Sequence, residues 1–198
     1  MLRKGLAGWP LLWLWTVALT LICLPLGLLQ ADEEGMRQLI RLTARTSLLA
    51  FLLAFGAAAA YRHWPAAGTR WLLANRRYLG LAFVLSHAYH AIAILTLLRI
   101  APETFAGKGL AAFAPQLLAY AFIVAMGLTS FERTAAWLGR RAWSLLHLVG
   151  GYYLLFSFLL AFGKRVPEQP LYLLAVLPCL LVLGLRWWPV GRRAATAD

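Results

Sequence analysis

Six long apolar runs, separated by short polar segments, fall near residues 9–29, 41–60, 78–99, 111–130, 143–163 and 170–188. Each reaches or approaches the roughly 20 residues that a helix needs to cross a bilayer. In hydrocarbon a backbone must satisfy its own hydrogen bonds, so runs of this length predict helices. The pattern predicts an all-α integral membrane bundle of six transmembrane helices, a single transmembrane domain over residues 1–198. The connections are short and turn-forming: 31–40 is acidic and polar, 61–75 is basic with Pro65 and Gly68, 101–110 carries Pro102, Gly107 and Gly109, and 163–170 carries Pro167 and Pro170. The first run follows Arg3 and Lys4 like a signal peptide. Its apolar core is too long for one, and Leu29-Gln30-Ala31 lacks the small residue wanted three before a cut, so it reads as a retained helix.

Composition agrees with lipid as the solvent, with 62% hydrophobic residues, mean hydropathy +0.72 and only 13% charged residues. The net charge of +12 would point to nucleic acid, but the basic residues sit at helix ends, so the expected partner is the bilayer and not nucleic acid. Their distribution sets an orientation. With the N-terminus inside, Arg3, Lys4, Arg62, Arg70, Arg76, Arg77, Arg133, Arg140, Arg141, Arg186, Arg192 and Arg193 face inward, 12 of the 19 lysines and arginines. Arg37, Arg41, Arg45, Arg99, Lys108, Lys164 and Arg165 face outward, together with Asp32, Glu33, Glu34, Glu103 and Glu168. Six crossings then give N-in and C-in termini. Cys23 and Cys179 lie singly in apolar runs and read as small packed residues. No Gly-x-Gly-x-x-Gly or Walker-type run is present, so any nucleotide-binding step belongs to another protein.

The candidate chemistry is imidazole. His87 and His90 are three apart on one face of the third predicted helix, and His147 opens the fifth. Ionisable or ligating groups inside a span are costly there and read first as functional. The plainer reading is an interhelical hydrogen bond, worth about 1 kcal/mol or less in lipid. Of the metal cofactors, haem best suits imidazole on apolar helices, being largely apolar itself and taking histidine as an axial ligand. Zinc would want further ligands that the chain does not offer nearby. His63 reads as a solvated loop residue. Arg41 and Arg45, four apart and pointing the same way, read as snorkelling to outer headgroups, or more sharply as holding an anionic group such as a haem propionate near the outer face. Trp9, Trp64, Trp71, Trp137, Trp143, Trp187 and Trp188 read as an interfacial belt. Gly56, Ala60, Gly127, Gly150 and Gly151 read as close-packing positions.

Arg76-Arg77-Tyr78-Leu79-Gly80-Leu81 with His90 further along, Thr43-Ala44-Arg45-Thr46-Ser47-Leu48, and Leu138-Gly139-Arg140-Arg141 with Trp143 and His147 occur in that order. Over residues 40–165 they resemble the ferric-reductase-like transmembrane domain family. The nearest pattern is the haem-binding membrane subunit of the methionine sulfoxide reductase system; NADPH oxidases and STEAP metalloreductases are more distant. The resemblance implies a multi-pass protein of the bacterial inner (plasma) membrane and a b-type haem electron carrier. A separate flavin or nicotinamide reductase would feed it from the inner side, and an electron acceptor would lie on the outer side. It also implies His90 as an outer-level ligand and His147 as an inner-level one, with His87 as substitute. Two expected ligands are missing: Leu160 stands where the family's outer histidine on the fifth helix falls, and Arg76 where an inner ligand on the third would fall.

A helix ruler adds a further constraint. His90 lies about 20 Å beyond Arg77 along its helix, and His147 about 6 Å beyond Trp143. One iron needs its two imidazole nitrogens only about 4 Å apart. The readings left open are one haem between His90 and His147, one haem with a single protein ligand, and a haem-free membrane subunit or scaffold of the same fold. Proton-coupled transport is disfavoured, because no Asp or Glu stands in the middle of a span.

Overall fold

The computed structural model describes residues 6–29, 31–107 and 109–189, without the side chain of Leu110. Arg3, Lys4, Gln30, Lys108, Arg192 and Arg193 lie outside the described residues, so the N-in and C-in assignment rests on the charge pattern alone. Among the described residues there are no strands. Seven α-helices follow in order: α1 (Trp9–Leu29), α2 (Glu33–His63), α3 (Ala67–Ile100), α4 (Ala114–Leu128), α5 (Glu132–Leu138), α6 (Arg140–Gly163) and α7 (Leu173–Trp187). Short 3-10 turns at Pro102–Phe105, Leu110–Phe113 and Pro170–Tyr172 link them. Six helices, all but α5, are long and apolar enough to cross a membrane when the turns before α4 and α7 are included. The chain is an all-helical, multi-pass membrane protein by that criterion.

Two helices run well beyond their apolar runs. Residues 33–40, expected in a connection, form the first two turns of α2, because Asp32 caps them: its Oδ1 accepts from Gly35 N at 2.8 Å. Arg37 then pairs with Glu33, one turn back. On the other side, the expected 61–75 connection shrinks to residues 64–66, and α3 begins at Ala67. Apolar runs mark where a helix meets hydrocarbon, whereas capping and ion pairs carry it on into the headgroup zone. The short α5 was not expected either. It ends at Gly139, whose φ of +80° lets the chain turn directly into α6.

Antiparallel α2 and α3 form the spine, with α1 leaning on α3, and α4, α6 and α7 closing the other side. Trp15 Nε1 of α1 donates to the buried Ser86 Oγ of α3 at 2.9 Å, and Thr20 Oγ1 lies 2.7 Å from Tyr89 OH. At the centre, Phe51, Phe55, Phe83 and Phe158 stack and tilt against one another with ring centroids 5.2–6.2 Å apart. The four expected glycines do face close neighbours: a Cβ on Gly151 would overlap Phe55 Cε2, and one on Gly150 would come within 2.7 Å of Met126 Sδ. Gly56 faces Val182 and Gly127 faces Val84 less tightly, with a Cβ 3.1 and 3.2 Å from the nearest methyl. Cys23 and Cys179 are free and buried. Large apolar side chains such as Leu21, Leu28 and Leu174 point outward, as a lipid-facing surface requires.

A basic end holds Arg62, Arg76, Arg77, Arg140, Arg141 and Arg186 with Glu132; the opposite end is acidic only by comparison, holding Asp32, Glu33, Glu34, Glu103 and Glu168 beside Arg37, Arg41, Arg45, Arg99, Lys164 and Arg165. Trp9, Trp64, Trp137, Trp187 and Trp188 are exposed near helix ends, as a belt would be. Trp143 departs from that reading, for it turns inward.

Candidate functional site

At the basic end, a cavity of about 510 Å³ opens between α2, α3, α4, α6 and α7. That volume lies within the range of small-molecule and cofactor sites, roughly 300–1,000 Å³. Its walls are apolar, from Phe51, Phe55, Phe83, Val84, Ile123 and Met126, and Arg76, Arg77 and Arg186 also line it. His147 is the imidazole on its wall, one turn after Trp143 on α6. A Cβ built on Gly80, another lining residue, would meet nothing within 4 Å, so the backbone of α3 there faces open space.

The α4–α6 junction fixes the imidazole. Trp143 Nε1 donates to the Thr129 carbonyl at 2.9 Å, and the indole stacks on the His147 ring, centroids 4.2 Å apart and 28° from parallel. Thr129 Oγ1 donates to the Ala125 carbonyl at 2.7 Å, so towards His147 Nε2, 3.3 Å away, it acts as an acceptor. That contact is longer than a good N–H···O bond. The other ring nitrogen then keeps its lone pair.

The arginines differ in freedom. Arg186 is pinned: its Cζ lies 3.9 Å from the Phe55 centroid, Nη1 donates to the Phe55 carbonyl at 3.0 Å, and Nε donates to Tyr152 OH at 3.4 Å. Its Nη2 makes no bond among the described residues. Arg77 makes a 3.4 Å ion pair with Glu132 through Nη1, while its Nε is buried with no partner among the described residues. An orphaned donor of that kind costs about 1–3 kcal/mol unless something bonds it. Arg76 is exposed.

His87 and His90 lie elsewhere. His90 Nδ1 is 3.1 Å from the Ile40 carbonyl, which can only accept, so Nδ1 carries the proton; Thr43 Oγ1 is 3.0 Å away. This pairing with α2 leaves Nε2 unprotonated and unbonded among the described residues, as for a metal-ligating imidazole held by a backbone carbonyl. The same pairing is also the interhelical bond of the plainer reading. His87 sits among Phe83, His90, Tyr120 and Phe158, with centroids 5.0–6.1 Å away. Its Nδ1, Tyr120 OH and Ser47 Oγ are buried without partners among the described residues. Neither His87 nor His90 lines the basic-end cavity.

The structure does not bring His90 and His147 together. The His87 ring is 6.1 Å from Phe158, and Phe158 lies 11 residues beyond His147 on α6, roughly 16 Å of helix. His90 is one turn further towards the acidic end, so a single iron between His90 and His147 does not fit. Leu160 is 63% exposed and faces outward. His63 is not simply solvated: its Nε2 donates to the Leu185 carbonyl at 2.9 Å, and Arg62 Nη2 donates to Leu185 and Arg186 carbonyls, capping α7. Arg45 lines a separate cavity near the acidic end.

Three features of the basic-end cavity suit a haem-like group: the His147 imidazole on its wall, the orphaned Arg77 donor and the open space before Gly80. The other half of the bundle offers His90 without an adjoining cavity among those described. Among the described residues no three His, Cys, Asp or Glu side chains cluster as a metal site. The sequence reading did not single out Arg186 or Tyr120; Arg186 looked like any other basic residue at a helix end, and nothing but tertiary packing shows otherwise. No family model, curated protein or solved structure matches the chain.

Proposed function

We propose that this chain is a membrane electron carrier whose basic-end cavity would hold a b-type haem, with His147 as the residue that would bind its iron. The observation that supports it is the combination, in one apolar pocket of about 510 Å³, of a stacked imidazole and guanidinium groups. Bound there, a haem would supply one-electron oxidation and reduction at iron. The chain does the rest. His147 gives a ring nitrogen, Trp143 and Thr129 hold that ring in place, and the Phe51–Phe55–Phe83 wall excludes water. Arg77 Nε and Arg186 Nη2 have donors to spare for carboxylates. His90, with Nε2 free among the described residues, would supply a ring nitrogen to any second haem of the acidic half, since imidazole alone carries no electron.

On this reading the basic end faces a separate flavin or nicotinamide reductase, and the acidic end faces the electron acceptor. The membrane would be a bacterial plasma membrane. A dithionite-reduced minus oxidised spectrum of the purified protein tests the proposal: a b-type band is expected, and its absence from the wild type would overturn it. His147→Ala should remove the band of the basic-end group and His63→Ala should leave it.

One observation favours the haem-free alternative for part of the molecule. The Nδ1 of His90 is satisfied between Ile40 and Thr43, as in a bond that simply joins α2 to α3. Under that alternative His90→Ala lowers abundance and leaves the visible spectrum blank, as in the wild type.

A further inference from the structure

Near the acidic end, a second cavity of about 410 Å³ lies between α2 and the start of α7. Leu48, Leu52, Phe162 and Ala175 line its apolar part, and Arg45 and Tyr172 stand on its edge. Arg165 reaches the same tyrosine from the end of α6: its Nη1 donates to Tyr172 OH at 3.4 Å. Both guanidiniums lie over the Tyr172 ring, with Cζ 5.9 Å (Arg45) and 5.6 Å (Arg165) from its centroid. Two like charges are thus held beside one aromatic ring with no carboxylate between them.

The neighbouring arginines show that this is a particular arrangement. Arg37 pairs with Glu33 and Arg41 with Glu34, whereas Arg45, one turn deeper, makes no ion pair among the described residues, nor does Arg165. An unpaired cation pair at the edge of hydrocarbon calls for an anion. Below it, an apolar groove lined by Leu48, Leu52 and Ala175 runs along α2 and α7. A neutral ring compound would fill the groove and leave both charges uncompensated. An anionic amphipath satisfies both parts.

We propose that this cavity is a binding site for one anionic phospholipid, its phosphate between Arg45 and Arg165 and one acyl chain along the Leu48–Ala175 groove. Tyr172 holds the two guanidiniums at the headgroup through its ring and hydroxyl. The site is independent of the basic-end cavity, and its success or failure does not depend on haem.

Native mass spectrometry of the full chain in detergent, titrated with phosphatidylglycerol or phosphatidylcholine of matched chains, tests it. The wild type retains a single phosphatidylglycerol at a concentration about 30-fold below that needed for phosphatidylcholine, the combined effect of two basic side chains near a charged headgroup. Arg45→Gln with Arg165→Gln removes the preference at unchanged helix content by circular dichroism. Arg45→Lys with Arg165→Lys keeps most of it, and Arg41→Gln keeps all of it. Ala175→Phe, which fills the groove, lowers retention of phosphatidylglycerol. Equal retention of the two lipids by the wild type, or an undiminished preference in the Gln pair, overturns the proposal. So does displacement of phosphatidylglycerol by inorganic phosphate or by a neutral quinone at equal concentration.

Discussion

The indole of Trp143 lies flat against the imidazole of His147, centroids 4.2 Å apart, while its own N–H is tied to the Thr129 carbonyl 2.9 Å away. The two residues are four apart at the start of α6, so one helical turn sets the stack and the α4 terminus locks it. His147 therefore enters the cavity wall in a fixed orientation. That favours ligation, since a ligand held in advance loses little entropy on binding.

If the stack positions His147, its loss should weaken retention of haem without abolishing it. Aromatic pairs contribute about 0.5–1.5 kcal/mol beyond burial, so Trp143→Ala should lower haem affinity by about two- to thirteenfold. Trp143→Phe should restore most of it. Haem titration of the purified variants, followed at the Soret band, measures the change. Equal affinity in all three proteins would leave the stack without a positioning role.

The guanidiniums of the same cavity make a separate prediction. If Arg77 Nε and Arg186 Nη2 bond the carboxylates of the group, the wild type should bind haem more tightly than haem dimethyl ester. A hydrogen bond to a charged group contributes about 1.5–3 kcal/mol, so Arg77→Gln should reduce that preference by at least tenfold. Binding of haem and its ester with equal affinity by the wild type would remove the arginines from the site while leaving His147 in it.

Packing at the centre should tolerate no side chain at Gly151. Phe55, which a new Cβ would strike, is stacked on Phe51 and covered by the Arg186 guanidinium, so it has little room to give. Gly151→Ala is expected to destabilise by about 1–3 kcal/mol, the usual cost of overpacking. Gly151→Ala with Phe55→Leu should recover part of that. Thermal unfolding in detergent reads both, and an unchanged midpoint in the single variant would contradict the contact.

The bond between His90 and α2 can be weighed by a double-mutant cycle of Thr43→Val and His90→Leu. Interhelical polar pairs in membranes average about 0.6 kcal/mol of coupling, reaching about 1.7. A value in that range, measured by unfolding of haem-free protein, is expected. Zero coupling would mean that the 3.0 Å approach contributes nothing to α2–α3 association.

The all-helical class, the number of spans and their order were legible in the sequence because hydrocarbon imposes a length and an apolarity that any reader can count. Helix ends were less legible. Asp32 and the Glu33–Arg37 pair extend α2 through a stretch whose polarity reads as a loop, since polar composition does not distinguish a capped helix from a turn. The glycines of α6 were readable as packing positions, but not the partners they meet.

The histidines were found by type and depth, yet their roles depended on which helix each ring faced. His90 turned to Ile40 and Thr43, His147 turned to Thr129 beside a cavity, and His63 capped α7. Spacing along one helix fixes which residues share a face, and that much the sequence determined by itself. Which face meets which neighbour depends on the packing of all six spans at once. That decided the separation of His90 from His147, the pinning of Arg186 and the convergence of Arg45 and Arg165 on Tyr172, because side chains on different spans, such as Phe55 and Arg186 131 residues apart, meet only when the bundle closes.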